Sequence, residues 1–103
     1  MVELPLSAAT AEKLVKRRAQ VSENVITGEH ARKRMVERDI YIDDVSQVLK
    51  TGSVDDAPTL TDRGDWQCKM VKKIRGTRSI GVVTIILHKE KLFIKTVEWE
   101  DLK

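Results

Sequence analysis

Apolar positions recur every three to four residues through the first half of this chain. In the second half they recur every second residue or run unbroken. Residues 7–20, SAATAEKLVKRRAQ, set Ala11, Leu14, Val15 and Ala19 on a narrow apolar stripe, which predicts a first helix. Ser7 or Thr10 can cap it. Glu12 suits its first turn, and Lys16, Arg17 and Arg18 suit its C-terminal end, as the helix dipole favours. Residues 24–27 predict a short strand before Gly28. Residues 29–38 predict a second helix, with Ala31 and Met35 four apart as its contact line. After a turn at Asp39, the run IDDVSQVLKTG predicts a third, with Ile42, Val45, Val48 and Leu49 inward and Gly52 at its end.

Beyond Gly52 the period changes to two. SVDDAPTL predicts a short edge strand, because Pro58 cannot donate to a central ladder. TDRGD predicts a turn. WQCKMVKKI alternates, with Trp66, Cys68 and Met70 on one side and Gln67, Lys69, Val71 and Lys73 on the other. IGVVTIILH is nearly continuously apolar and β-branched, which predicts the most buried strand. HKEK closes a hairpin, and LFIKTVEW makes a last strand with Phe93, Lys95, Val97 and Trp99 on one face. The expected architecture is α+β: three N-terminal helices packed on a curled, mainly antiparallel sheet of about four to five strands. It forms a single domain over residues 1–103.

Composition narrows the function classes. No apolar run reaches the roughly 20 residues of a membrane span, and residues 1–13 lack the pattern of a secretory leader. A single cysteine, Cys68, rules out an internal disulfide and a cysteine-based zinc site. No HxH or HExxH spacing is present, so neither a metal nor another cofactor is expected. A cytoplasmic protein without membrane contact is the expectation.

Charge is segregated. Residues 12–38 carry eight basic and four acidic side chains, residues 39–62 one and six, and residues 63–78 six and one. Two basic segments flanking an acidic one can build a cationic face suited to phosphates. They also suit plain solubility.

His30, Arg34 and Glu37 fall within an arc of roughly 60° on the second helix, at about 100° per residue, with Arg38 just beyond. A histidine can move protons near neutral pH, an arginine can hold a phosphate, and a glutamate can orient the ring. The same three can equally be a helix cap and ordinary ion pairs. On the first long strand, Gln67, Lys69 and Lys73 form a row that Arg75 and Arg78 extend, fit for a phosphate track or for a solvated outer face. Lys95 lies among apolar neighbours, Trp99 can stack on a base or seal the core against the first helix, and His88 belongs to an exposed turn.

The block HARKRMVERDIYIDDVSQVLKTG resembles the central signature of a bacterial domain family of unknown function, and WQCKM and LFIKTVEW fit its second half. That family is related to the RelE-type fold of toxin ribonucleases, and the layout of the whole chain is similar to the MqsR-type messenger-RNA interferases. The resemblance implies a compact toxin fold that binds RNA on the concave face of its sheet. Gln67, after Trp66, matches an active-site glutamine of the MqsR type. The expected tyrosine is replaced by small or apolar residues around Ile80 and Gly81. The expected C-terminal lysine is replaced by Glu98, with Lys95 three positions earlier, and a lysine before the Trp-Gln pair has no counterpart.

The expected function is that of a toxin in a toxin–antitoxin system, a metal-independent RNA endonuclease neutralised by a cognate antitoxin protein. His30, Arg34 and Gln67 are its candidate catalytic residues. Arg38, Lys69, Lys73, Arg75, Arg78 and Lys95 are candidate RNA contacts. The alternatives are a non-catalytic nucleic-acid- or protein-binding module of the same fold, or a mobile-element protein serving protein contacts only.

Overall fold

A computed structural model describes residues 6–102, apart from the side chains of Arg75 and Leu102. Residues 1–5, part of the stretch read for a leader, lie outside it. The elements run α1 (Ala8–Ala19), β1 (Val25–Thr27), α2 (Glu29–Arg38), α3 (Ile42–Thr51), β2 (Ser53–Val54), β3 (Thr59–Leu60), β4 (Trp66–Arg75), β5 (Arg78–Ile86) and β6 (Leu92–Trp99). A 3-10 turn, Glu100–Leu102, follows β6.

The fold is α+β, as expected, and its sheet is larger and more mixed than expected. Six strands follow the order β1-β6-β5-β4-β2, with β3 also paired to β4. β1 runs parallel to β6 and the other pairs are antiparallel. Because β1 lies between α1 and α2, the helices are not all N-terminal to the sheet. The segment read as one edge strand becomes two short ones, both on the outer edge of β4.

The helices cover one face of the sheet. Ala11, Val15 and Ala19 of α1, Ala31 of α2, and Val45, Val48 and Leu49 of α3 are buried. They share a core with Cys68, Met70, Ile80, Val82, Leu92, Ile94 and Val97 from the strands. Ser7 caps α1 by accepting from the Thr10 N–H at 3.1 Å. Glu12 lies past the first turn of α1, so it serves another role: its carboxylate accepts from the Val54 N–H at 2.9 Å and tethers β2 to α1. Asp39 ends α2 in the left-handed region, with φ 57°, a conformation that aspartate tolerates better than most residues. Ile42, expected inward, is 56% exposed. It is the first residue of α3, where Val45, Val48 and Leu49 already fill the buried stripe.

On β6 the strict alternation fails. Val83 pairs with Thr96 while Thr84 pairs with Ile94, so Lys95 is an extra residue on β6. This bulge shifts the phase by one. Leu92 and Ile94 are buried before it, and Val97 and Trp99 after it. Phe93, Lys95, Thr96 and Glu98 are left off the core. The expected grouping of Phe93 and Lys95 with Val97 and Trp99 is therefore corrected.

Candidate functional site on the open sheet face

The face of the sheet away from the helices carries the other half of each alternation. Gln67, Ile85 and Phe93 lie side by side across β4, β5 and β6, and Lys69, Val83 and Thr96 form the next row. At the first row lies a cleft of about 670 Å³, lined by Gln67, Ile85, Leu87, Phe93 and Lys95 on the floor. Its wall is β3 with the following turn, which contributes Arg63 and Asp65 among others. The turn is held by the Thr61 N–H donating to the Asp65 carbonyl (2.8 Å), and by the Asp65 N–H donating to Thr61 Oγ1 (3.1 Å). An aromatic ring, an amide and two cations on an apolar floor can bind a flat, anionic ligand. Asp62 and Asp65 balance Arg63 and Lys95, so the cleft is not strongly cationic.

The structure separates the sequence-predicted residues. Gln67 and Lys95 line the cleft. Lys69 and Lys73 share its face, but Lys69 is engaged by Glu100 (3.0 Å) and Glu98 (3.9 Å). Lys73 is exposed. Two other expected phosphate contacts have partners within the fold. Arg38 donates to the Val97 carbonyl at 2.6 Å. The Arg78 guanidinium stacks 3.9 Å over the Trp99 ring and pairs with Asp101 at 3.3 Å. Trp99 seals the core against the end of α2, where its indole N–H donates to the Arg38 carbonyl. Arg75 belongs to β4, and its side chain lies outside the described part.

His30 and Arg34 stand on α2, outside the cleft lining. His30 is exposed and makes no hydrogen bond or ion pair with a described residue. Glu37 pairs with Arg34. The Arg34 hydrogen bond lowers the Glu37 pKa below its usual value. One contact links α2 to the cleft: Gly28, its N-cap, lies so close to the Phe93 ring that a Cβ there would stand 2.6 Å from Cζ. Gly28, two residues before His30, is thereby packed against the Phe93 ring.

Arg63, Asp65 and the acids at the chain end were not singled out from the sequence. The local signal for Arg63 and Asp65 is the TDRGD turn directly before Trp66-Gln67, which folds the wall over the floor. Cys68 faces the core, where burial pushes its thiol pKa up to about 11. Among the described residues, no three His, Cys, Asp or Glu side chains converge as metal ligands would. No described helix is long and apolar enough to cross a membrane.

A family model, described as a domain of unknown function (DUF4258), matches residues 27–99. The matched span includes α2, the wall and the floor of the cleft. No curated protein and no solved structure matches the chain.

Proposed function

Since the chain belongs to the DUF4258 domain family, we propose that it binds single-stranded RNA on the open sheet face and cleaves it without a metal, as a cytoplasmic relative of the RelE- and MqsR-type toxins. The observation that carries this reading is the uncovered cleft, where Phe93 offers a stacking surface beside Gln67, Lys95 and Arg63. Stacking of bases on aromatic rings together with backbone cations is how single strands are held with little sequence preference.

In the proposed reaction the 2′-hydroxyl attacks the adjacent phosphorus. The new O2′–P bond forms as the P–O5′ bond breaks. A base takes the 2′ proton, and an acid returns one to the leaving 5′ oxygen. Gln67 would hold a non-bridging oxygen and Lys95 would stabilise the added negative charge. His30 would be the proton carrier in this scheme, with Arg34 on the same helix. The products are a 2′,3′-cyclic phosphate and a 5′-hydroxyl. A protein antitoxin is the proposed partner. The side chains of Val36, Tyr41 and Ile42, 84%, 58% and 56% exposed, give it an apolar surface to cover.

The test is incubation of purified protein with single-stranded RNA in EDTA. Shorter products ending in cyclic phosphate, lost in Gln67→Ala and His30→Ala, are expected. Cleavage unchanged in both variants would place the chemistry elsewhere.

A non-catalytic RNA-binding module is the second reading. It is favoured by the balanced charges of the cleft and by the absence of any histidine from its lining. It requires salt-sensitive RNA binding with no cleavage and no growth arrest on expression.

A further inference from the structure

The open face holds a second feature beside the cleft. Val71, Gly81 and Glu98 form the row next to Lys69, Val83 and Thr96. After Trp99 the 3-10 turn carries Glu100 back across β5, and its carboxylate lies over Gly81. A Cβ at Gly81 would collide with that carboxylate and stand 3.0 Å from Lys69 Cδ. The Lys69 ammonium lies 3.0 Å from Glu100 Oε1, 3.1 Å from Oε2 and 3.9 Å from Glu98 Oε2. Both partners are well shielded, with Glu100 17% and Lys69 27% exposed. Asp101 takes Arg78 in the same turn.

The acidic segment therefore occupies Lys69 on the face where the proposed RNA would lie. A carboxylate and a phosphate offer a lysine the same thing: anionic oxygens that accept from its ammonium within hydrogen-bond reach. Glu100 sits in a short turn beyond the last strand, where displacement disrupts no sheet pairing. We propose that Glu100, backed by Glu98, is an intramolecular competitor that keeps Lys69 from RNA, and that bound RNA displaces it. This deepens the proposed function and rests on it. It makes Lys69 a latent phosphate contact and Glu100 the residue that sets the affinity of the face.

The test uses the full chain and a fluorescently labelled single-stranded RNA of mixed sequence, read by anisotropy between 50 and 200 mM salt. Glu100→Gln removes the charge while keeping the shape. It should bind about three- to tenfold more tightly, and the slope of log affinity on log salt should steepen by about 0.7, one added phosphate contact. Glu23→Gln, the same charge change on an exposed turn outside the sheet, should move neither quantity by as much. Adding Lys69→Gln to Glu100→Gln should abolish the gain, which identifies the lysine as its source. Thermal melting confirms that each variant is folded. The competitor is ruled out if Glu100→Gln matches the unaltered protein or Glu23→Gln while Lys95→Ala still weakens binding. No saturable binding by any form would overturn the RNA reading itself, and this inference with it.

Discussion

Trp99 and Arg38 hold each other across the end of α2. The indole N–H donates to the Arg38 carbonyl at 2.7 Å, and the Arg38 guanidinium donates to the Val97 carbonyl, two residues before Trp99, at 2.6 Å. The reciprocal bonds fix the helix C-terminus, which otherwise has unsatisfied carbonyls, to the last strand. Trp99→Phe keeps the ring and loses the donor. It should cost about 1–2 kcal/mol, because one partly buried carbonyl loses its partner. Urea unfolding should show a lower midpoint at unchanged slope.

Glu12 makes stability depend on acid. The Val54 N–H, and secondarily Lys16, hold its carboxyl below the ordinary value of 4.5, against an opposing effect of burial. A carboxyl whose pKa is lower in the folded than in the unfolded chain binds fewer protons when folded. Its stabilisation is complete above pH 4.5 and is lost as the pH falls through the lowered folded value. Glu12→Gln should therefore flatten the decline in melting temperature below pH 4.5 and change its slope little above pH 6. An identical acid limb in both proteins would remove Glu12 from the account.

Cys68 is shielded by the core, 5% exposed, with its pKa raised to about 11. At pH 8 only about one thiol in a thousand is ionised, and the thiolate is the reactive form. Alkylation of the native protein should be slow and should accelerate sharply in urea. Rapid labelling of folded protein would show that β4 opens.

Lys95 owes its position to a bulge, and its charge has no described partner. Lys95→Ala should weaken RNA binding and reduce the salt slope by about 0.7, with little effect on stability, as for an exposed side chain. Arg38→Ala should do the reverse: lose stability while leaving the affinity of the folded protein nearly unchanged.

Much of the fold was legible from periodicity. The sequence predicts a helix over residues 29–38 and α2 has those bounds, because Gly28 and Asp39 punctuate a strongly polar helix. The run from Ile80 to Ile86 announced the central strand by its β-branched density. Three features were hidden for physical reasons. The parallel pairing of β1 with β6 joins segments more than sixty residues apart, and three residues carry too little pattern to reveal a partner. The bulge at Lys95 inverts the later half of β6 without a glycine or proline to mark it. Arg38 and Arg78 look like phosphate contacts in sequence, but each is committed to a partner that only folding supplies. The candidate site was half legible. Gln67 follows from the strand pattern, whereas Lys95 joins the face at a bulge, and Arg63 and Glu100 join it through a turn on one side and a chain reversal on the other.

The most direct measurement of where RNA lies is a titration of isotope-labelled protein with single-stranded RNA, followed by backbone amide NMR. The open-face account requires the shifts to concentrate on Gln67, Ile85, Phe93 and Lys95, to extend to Lys69 and Glu100, and to spare α1 and α3. Shifts centred on Val36, Tyr41 and Ile42, or none at saturating RNA, would contradict it.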